Sequence, residues 1–389
     1  MIRNTLILII FTFCLNINAQ QKVTLDGYLN DMQSVYHMEQ TGWLWENQLH
    51  NRLNLNIYPA GWLKVSIQTR TRLIQGSTYS TFPGYADMIG RDPGWLDLAF
   101  SAHDSYNDDL GYIIASKVDR LYAEFSAGNW VATVGRQRIN WGQTFAWNPN
   151  DIFNSYSYFD VDYPERPGSD AIRIQYYTGI ASNIELAAKA DSAGKVTGAG
   201  YFRFNTMGYD FQLLGGVLSG SDLVLGTGWS GNIVNSSFRG ELSYFRSLDN
   251  FADTSGQLLV STGIDHTFSN SLWMQAEVLY SGFAREHEIQ NFMQILGSDM
   301  DVRQIGFTKW SVFTSLSFPV TPLLNASLAG IWFPSWKGYY IGPSVDLSLS
   351  NNISASLISQ LFSAEQPNPV GERTRQTTWV GYARIKWSF

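Results

Sequence analysis

Arginines and carboxylates crowd one stretch of this chain. Residues 134–176 read VGRQRINWGQTFAWNPNDIFNSYSYFDVDYPERPGSDAIRIQY. Arg136, Arg138 and Asn140 alternate, as do Arg173 and Gln175, and side chains two apart on an extended backbone point the same way. Between them stand Asp151, Asp160, Asp162, Glu165 and Asp170. Guanidinium and carboxylate form short, forked, charge-assisted bonds. The available chemistry is therefore charge pairing, either to brace a loop against its walls or to meet a charged solute. Bond-breaking chemistry has no comparable support. The histidines are His37, His50, His103, His266 and His287, and none stands in a pattern that supplies nucleophile, base and orienting group. Asp108 and Asp109 offer too few of the six or more oxygens that calcium takes. No phosphate loop, dinucleotide fingerprint or metal-ligand spacing is present. The sequence predicts no enzyme, no cofactor and no metal.

The elements that must hold these residues have a period of two. In LKVSIQTRTRL, residues 63–73, Leu63, Val65, Ile67 and Leu73 lie on one face while Lys64, Ser66, Gln68, Arg70 and Arg72 lie on the other. The pattern returns in residues 184–190 and again at the C-terminus. There Ala383, Ile385, Trp387 and Phe389 alternate with Arg384 and Lys386. Segments of about ten alternating residues separated by turns describe a transmembrane β-barrel, apolar towards lipid and polar within. Strand starts fall near Val23, Glu46, Trp62, Lys117, Trp130, Asp170, Ser182, Val196, Gly208, Leu223, Ser236, Gln257, Ser271, Phe307, Leu324, Lys337, Asn352 and Gln376. The expected fold is a closed antiparallel all-β barrel of about 18 strands, with 16 as the alternative count. Short turns such as Gly128-Asn129 alternate with long connections at 74–116, 141–169, 282–306 and 363–375. The long ones share one end, expected to be the outer one, and both termini lie at the other. Trp43, Trp45, Trp62, Trp130, Tyr58, Tyr280, Trp310, Trp332 and Trp336 are expected in two interfacial girdles.

Composition agrees with a membrane barrel. Charged residues make up only 15% of the 389 and aromatics another 15%, against about 25% charged in soluble domains. Disorder is excluded by the aromatics, and helical spans by the lack of long apolar runs. One Cys, Cys14, rules out a disulfide framework. Residues 1–19 place Arg3 before an apolar core and end on Ala19, which predicts a cleaved secretory signal and a barrel over residues 20–389. The mildly acidic balance, formally −7, argues against a nucleic-acid partner.

GRQ followed by WG, then NPND-IFN, then ERPG-DA-R, resembles a porin-like family of bacterial outer-membrane barrels, distantly similar to alginate-export-type channels. The resemblance implies an outer-membrane barrel of a diderm bacterium with a channel-like lumen. The terminal aromatic on the last strand resembles the signal read by the barrel-assembly machinery, carried here by Ala383, Ile385, Trp387 and Phe389. The loop between Asn140 and Asp170, rich in aromatics, is expected to fold inward and narrow the lumen, its carboxylates meeting inward arginines. Lys64, Arg70, Arg72, Arg120, Arg136, Arg138, Arg173, Arg203, Arg384 and Lys386 are expected to form a basic wall. Such a lining would favour anionic solutes, or would only hydrate and brace the wall. The expected function is passive passage of small hydrophilic solutes, as a monomer or a homo-oligomer in outer-membrane lipid. The alternative is an occluded barrel for polysaccharide attachment or adhesion.

Overall fold

Alternation of buried and exposed positions builds the molecule. In β1 (Val23–Met38), Tyr28, Asn30, Met32, Ser34, Tyr36 and Met38 are buried while Leu25, Leu29 and Val35 are exposed. A computed structural model describes residues 22–39, 41–82, 84–104, 111–161, 165–253, 255–284, 300–367 and 372–389. The proposed leader, Cys14 and Asp162 lie outside the described residues.

After β1 come β2 (Gly42–Ala60), β3 (Leu63–Gly76), a short β4 (Ala99–His103), β5 (Tyr112–Ala127), β6 (Trp130–Gln137), β7 (Ser169–Tyr177), β8 (Asn183–Ala190) and β9 (Val196–Thr206). They continue as β10 (Tyr209–Leu218), β11 (Asp222–Ile233), β12 (Ser236–Ser247), β13 (Gln257–Thr267), β14 (Trp273–Ser281), β15 (Trp310–Thr321), β16 (Leu324–Phe333), β17 (Gly338–Ser348), β18 (Ile353–Pro367) and β19 (Arg373–Ser388). Setting β4 aside, each strand pairs antiparallel with the next, β3 with β5, and β19 returns to β1 from Tyr28↔Ser388 to Met38↔Thr378. The result is a closed antiparallel barrel of 18 strands. Closure leaves no open edge, the condition for a sheet to stand in lipid.

The expected strands all recur, with two corrections at the end that carries the long connections. The segment 363–375 is not a long loop: β18 runs to Pro367 and β19 starts at Arg373, paired throughout. Trp336 is not in a girdle. It is fully buried inside the barrel against Phe307, Phe333 and Phe362. Trp43, Trp62, Trp130, Trp310 and Trp332 do project outward, each about half exposed or more.

The wall is uneven. Strands β6 to β9 have 8 to 11 residues, whereas β1, β2, β3 and β5 have 14 to 19. The connection between β3 and β5 fills the notch. Its β4 pairs with Ile113–Lys117 of β5 above the end of β6, and Gly94 bridges Asp191 beyond β8. The interior is also less polar than expected. Phe245, Phe313, Phe333, Phe362, Leu259 and Leu279 are buried on inward positions. Phe313 packs against Phe145, Trp147 and Tyr158 of the connection between β6 and β7, whereas Phe333 and Phe362 pack on Trp336 and Phe245 on Phe283.

A candidate channel constriction

Residues 138–161 and 165–168 lie in the barrel interior, and opposite chemistries hold their two halves. The first half is held by its backbone N–H groups. Glu241 of β12 accepts from Thr144 N and Asn150 N at 2.8 Å each, and from Gln143 N and the Thr144 hydroxyl. Glu277 of β14 accepts from Phe145 N at 2.9 Å, Ala146 N at 3.1 Å and Trp147 N at 2.9 Å, with Ser261 donating at 2.8 Å. The turn at Asn148-Pro149-Asn150 aims these donors at one wall, as proline- and asparagine-containing turns can. Gly226 on β11 permits the approach, since a Cβ there would stand 2.6 Å from Asn150 Oδ1.

The second half is held by its carbonyls. Arg120 Nη2 donates to Glu165 O and Arg166 O at 2.9 Å, Gln360 Nε2 to Phe159 O at 3.2 Å and Arg384 Nη1 to Val161 O at 3.3 Å. Aromatic contacts complete the packing. Trp141 stacks on Tyr201 at 5.0 Å, Tyr158 meets Phe313 at 4.9 Å, and Phe159 meets Tyr340 at 5.0 Å. The sequence pattern showed this loop but not Glu241 or Glu277. Each is a lone acidic residue on an ordinary alternating strand, with no signal nearby to mark it.

The expected basic residues divide by position. Lys64, Arg70, Arg72, Arg120, Arg173, Arg203, Arg384 and Lys386 occupy positions with inward register. Many are engaged there. Arg70 Nε lies 3.9 Å from Asp119, Arg173 lies 2.6 Å from Glu185, Arg72 donates to Ile89 O, and Lys386 sits 3.9 Å from the Tyr28 ring centre. Arg52, absent from the expected set, is fully buried and 2.7 Å from Asp119. A bulge in β5, where the register steps between Gln68 and Thr69, brings Asp119 to that pair.

Arg136 departs from expectation. It shares the outward parity of Val134, and Asp170 that of Ile172, both exposed. Arg136 forks onto Asp170 at 2.8 Å and reaches Asp92 at 2.6 Å, Val118 O at 3.0 Å and Leu96 O at 2.5 Å. It clamps the strap 91–98 into the wall and lines no lumen. Gly94 is required under the clamp, where a Cβ would stand 2.3 Å from Arg136 Nη2. Burial alone would raise the Asp92 carboxyl, but the Arg136 guanidinium and the Gly94 N–H hold it below the usual range.

The loop carboxylates do not meet the arginines in the expected way. Glu165 accepts from Tyr28 OH at 3.2 Å. Asp160 lines the cavity that borders the loop. Asp151 is completely buried, with the backbone N–H groups of Asn154 and Trp141 as its nearest donors. Burial pushes its pKa up to about 6, partly countered by the charges of Arg138 and Lys189. A cavity of about 480 Å³ borders the loop, lined by cations that include Arg70, Arg72 and Lys117 and by as many carboxylates, among them Asp160, Asp191 and Asp301.

With this geometry in place, the chain matches solved barrels over nearly its whole length. OccAB1 of Acinetobacter baumannii has a TM-score of 0.59 at 9% identity, covering 94% of this chain and 97% of its own. OpdQ of Pseudomonas aeruginosa gives 0.56 at 9% identity, covering 96% and 99%, and OccK11 (OpdR) of the same organism gives 0.57 at 9%, covering 95% and 97%. The fold is that of the Occ/OprD porins. No protein-family model matches the chain, and no curated protein matches it in sequence. At such low identity the likeness is one of architecture.

Proposed function

We propose that this protein is an outer-membrane channel for passive diffusion of small hydrophilic solutes past a loop-narrowed lumen. The observation that carries the reading is the bridge between β6 and β7, described over 138–161 and 165–168. It is packed inside a closed barrel and borders a cavity of about 480 Å³ with charged walls. A barrel with porin architecture, lipid-facing apolar strands and an internal loop needs no catalytic group to let solutes pass. Arg70, Arg72 and Lys117 on the cavity wall support a preference for anionic solutes, because fixed charge at a narrow point concentrates counter-charge.

The localisation follows from the same reading. Residues 1–19 serve as the cleaved export signal. The last strand, with Ala383, Ile385, Trp387 and Phe389 facing lipid, is what the assembly machinery recognises. The signature across 134–176 supports kinship with porin-like barrels of the alginate-export kind.

Single-channel current of the refolded chain in a planar bilayer, with its reversal potential in a salt gradient, tests the reading. Steady openings with a reversal displaced towards the anion are expected. Cation-displaced openings would retain the channel and remove the anion preference. Silence from a correctly folded barrel would favour surface attachment instead.

A further inference from the structure

The bridge is fastened asymmetrically. Its second half hangs on Arg120, Arg384 and Gln360, whose donors keep their character at every accessible pH. Its first half hangs on two carboxylates that lie on the far side of the barrel from β5. Glu277 uses both oxygens on backbone donors, Oε2 for Phe145 N and Ala146 N and Oε1 for Trp147 N. Glu241 does the same, Oε1 for Thr144 N and Oε2 for Asn150 N. Among the described residues no salt bridge neutralises either carboxylate, so the backbone N–H groups take the place of a counter-ion, as they do in anion-binding nests.

We propose that Glu241 and Glu277 are the positioning residues of the constriction and that acid releases the segment 143–150 while the arginine-held half stays in place. A carboxylate accepts two donors at each oxygen. A protonated carboxyl, like the amide of Gln, turns one position into a donor facing an N–H, so the socket loses charge and at least one acceptor. The ionisable groups around the sockets are Tyr158 beside Glu277, Tyr201 beside Glu241, Glu185, Arg203 and Arg173 around Tyr201, and the buried Asp151 at the end of the held segment. Ser261 and Ser243, which face the sockets from β13 and β12, do not titrate. This inference concerns regulation of the constriction and rests on the channel reading for its consequence, but the fastening itself is measurable without any current.

Backbone hydrogen exchange of the full chain, resolved by peptide, is the first measurement. At one neutral pH, Glu277→Gln is expected to speed exchange over 145–147 at least about tenfold, and Glu241→Gln to do so at 144 and 150. Exchange over 157–161 should hold in both. Unchanged protection at these amides, or equal loss along the whole loop, would overturn the proposal. Should a variant fail to fold, the wild-type chain serves. Between about pH 8 and about pH 4, corrected for intrinsic exchange, protection should fall over 143–150 and not over 157–161; parallel profiles would overturn it. Conductance of the wild type should rise over the same acid range. A silent barrel that still shows the selective loss of protection keeps the fastening and removes the channel.

Discussion

Arg136 is the residue whose removal has the plainest consequence. Its guanidinium joins the strap 91–98 to β7 by side-chain and backbone contacts at once, with almost no solvent access. Truncating one member of such a cluster strands the others, and breaking a buried pair this way costs about 3–5 kcal/mol. Arg136→Ala should therefore free the strap. Protease cleavage between Arg91 and Leu98 should speed up while the barrel keeps its heat-modifiable mobility on gels. Arg136→Lys should rescue little, because an ammonium cannot fork onto Asp170 and reach Asp92 together. Asp151 makes the second residue-scale prediction. Its carboxyl titrates near 6 in the fold, above the roughly 4 of the unfolded chain, so ionisation is penalised in the native state. That penalty is present above about pH 6 and disappears below about pH 4, so this one group favours the fold more as the pH falls. Protonation also removes the Asp151 charge from beside Arg138 and Lys189, the latter keeping Asp301 and Asp191 nearby. The reversal potential should move further towards the anion between about pH 7 and about pH 5, and Asp151→Asn should show the displaced value at both. An identical pH response in the variant would exclude Asp151 as its source.

At the scale of elements, the bridge is a separate layer laid on a finished wall. Every barrel strand has its partners on both sides without it. Deleting 154–160 should thus leave the barrel assembled, remove Phe159 from its place against Tyr340 and Phe307, and raise single-channel conductance several-fold. An unchanged conductance would mean that the passage lies elsewhere. The strands themselves were legible because alternation is written locally: Leu63, Val65 and Ile67 against Lys64, Ser66 and Gln68 specify two faces without any knowledge of the neighbours. The inward position of Arg70 and Arg72 follows from that alone. Arg136 broke the rule for a reason outside its strand. Its side of β6 is covered by a strap more than thirty residues earlier in the chain, which turns a lipid-facing position into a buried one. Glu241 and Glu277 were hidden for the converse reason. Their partners are backbone amides, which carry no residue type, nearly a hundred or more positions away.

For the whole molecule, the last residue closes the ring. Phe389 N donates to Gly27 O at 3.0 Å and Phe389 O accepts from Gly27 N at the same distance, so its backbone finishes the seam between β19 and β1. Its side chain does something else. The residue is 44% exposed, its ring touching that of Trp387 at 5.3 Å between centres on the lipid-facing side. Any residue type can make the two backbone bonds, so the seam does not demand an aromatic there. Replacing Phe389 by Ser removes partly exposed apolar surface, and at about 25 cal/mol per Å² this is a small fraction of what a barrel of this size buries. Refolding into detergent or liposomes should therefore proceed as in the wild type, with the same heat-modified mobility. In cells, a machinery that reads the terminal aromatic should leave most of Phe389→Ser unassembled and exposed to periplasmic proteases. If instead both refolding and cellular assembly fall together, the ring matters as packing at the seam and the recognition role is lost. If neither falls, the signal lies in Trp387 and Ile385, whose side chains share the same face one and two pleats earlier.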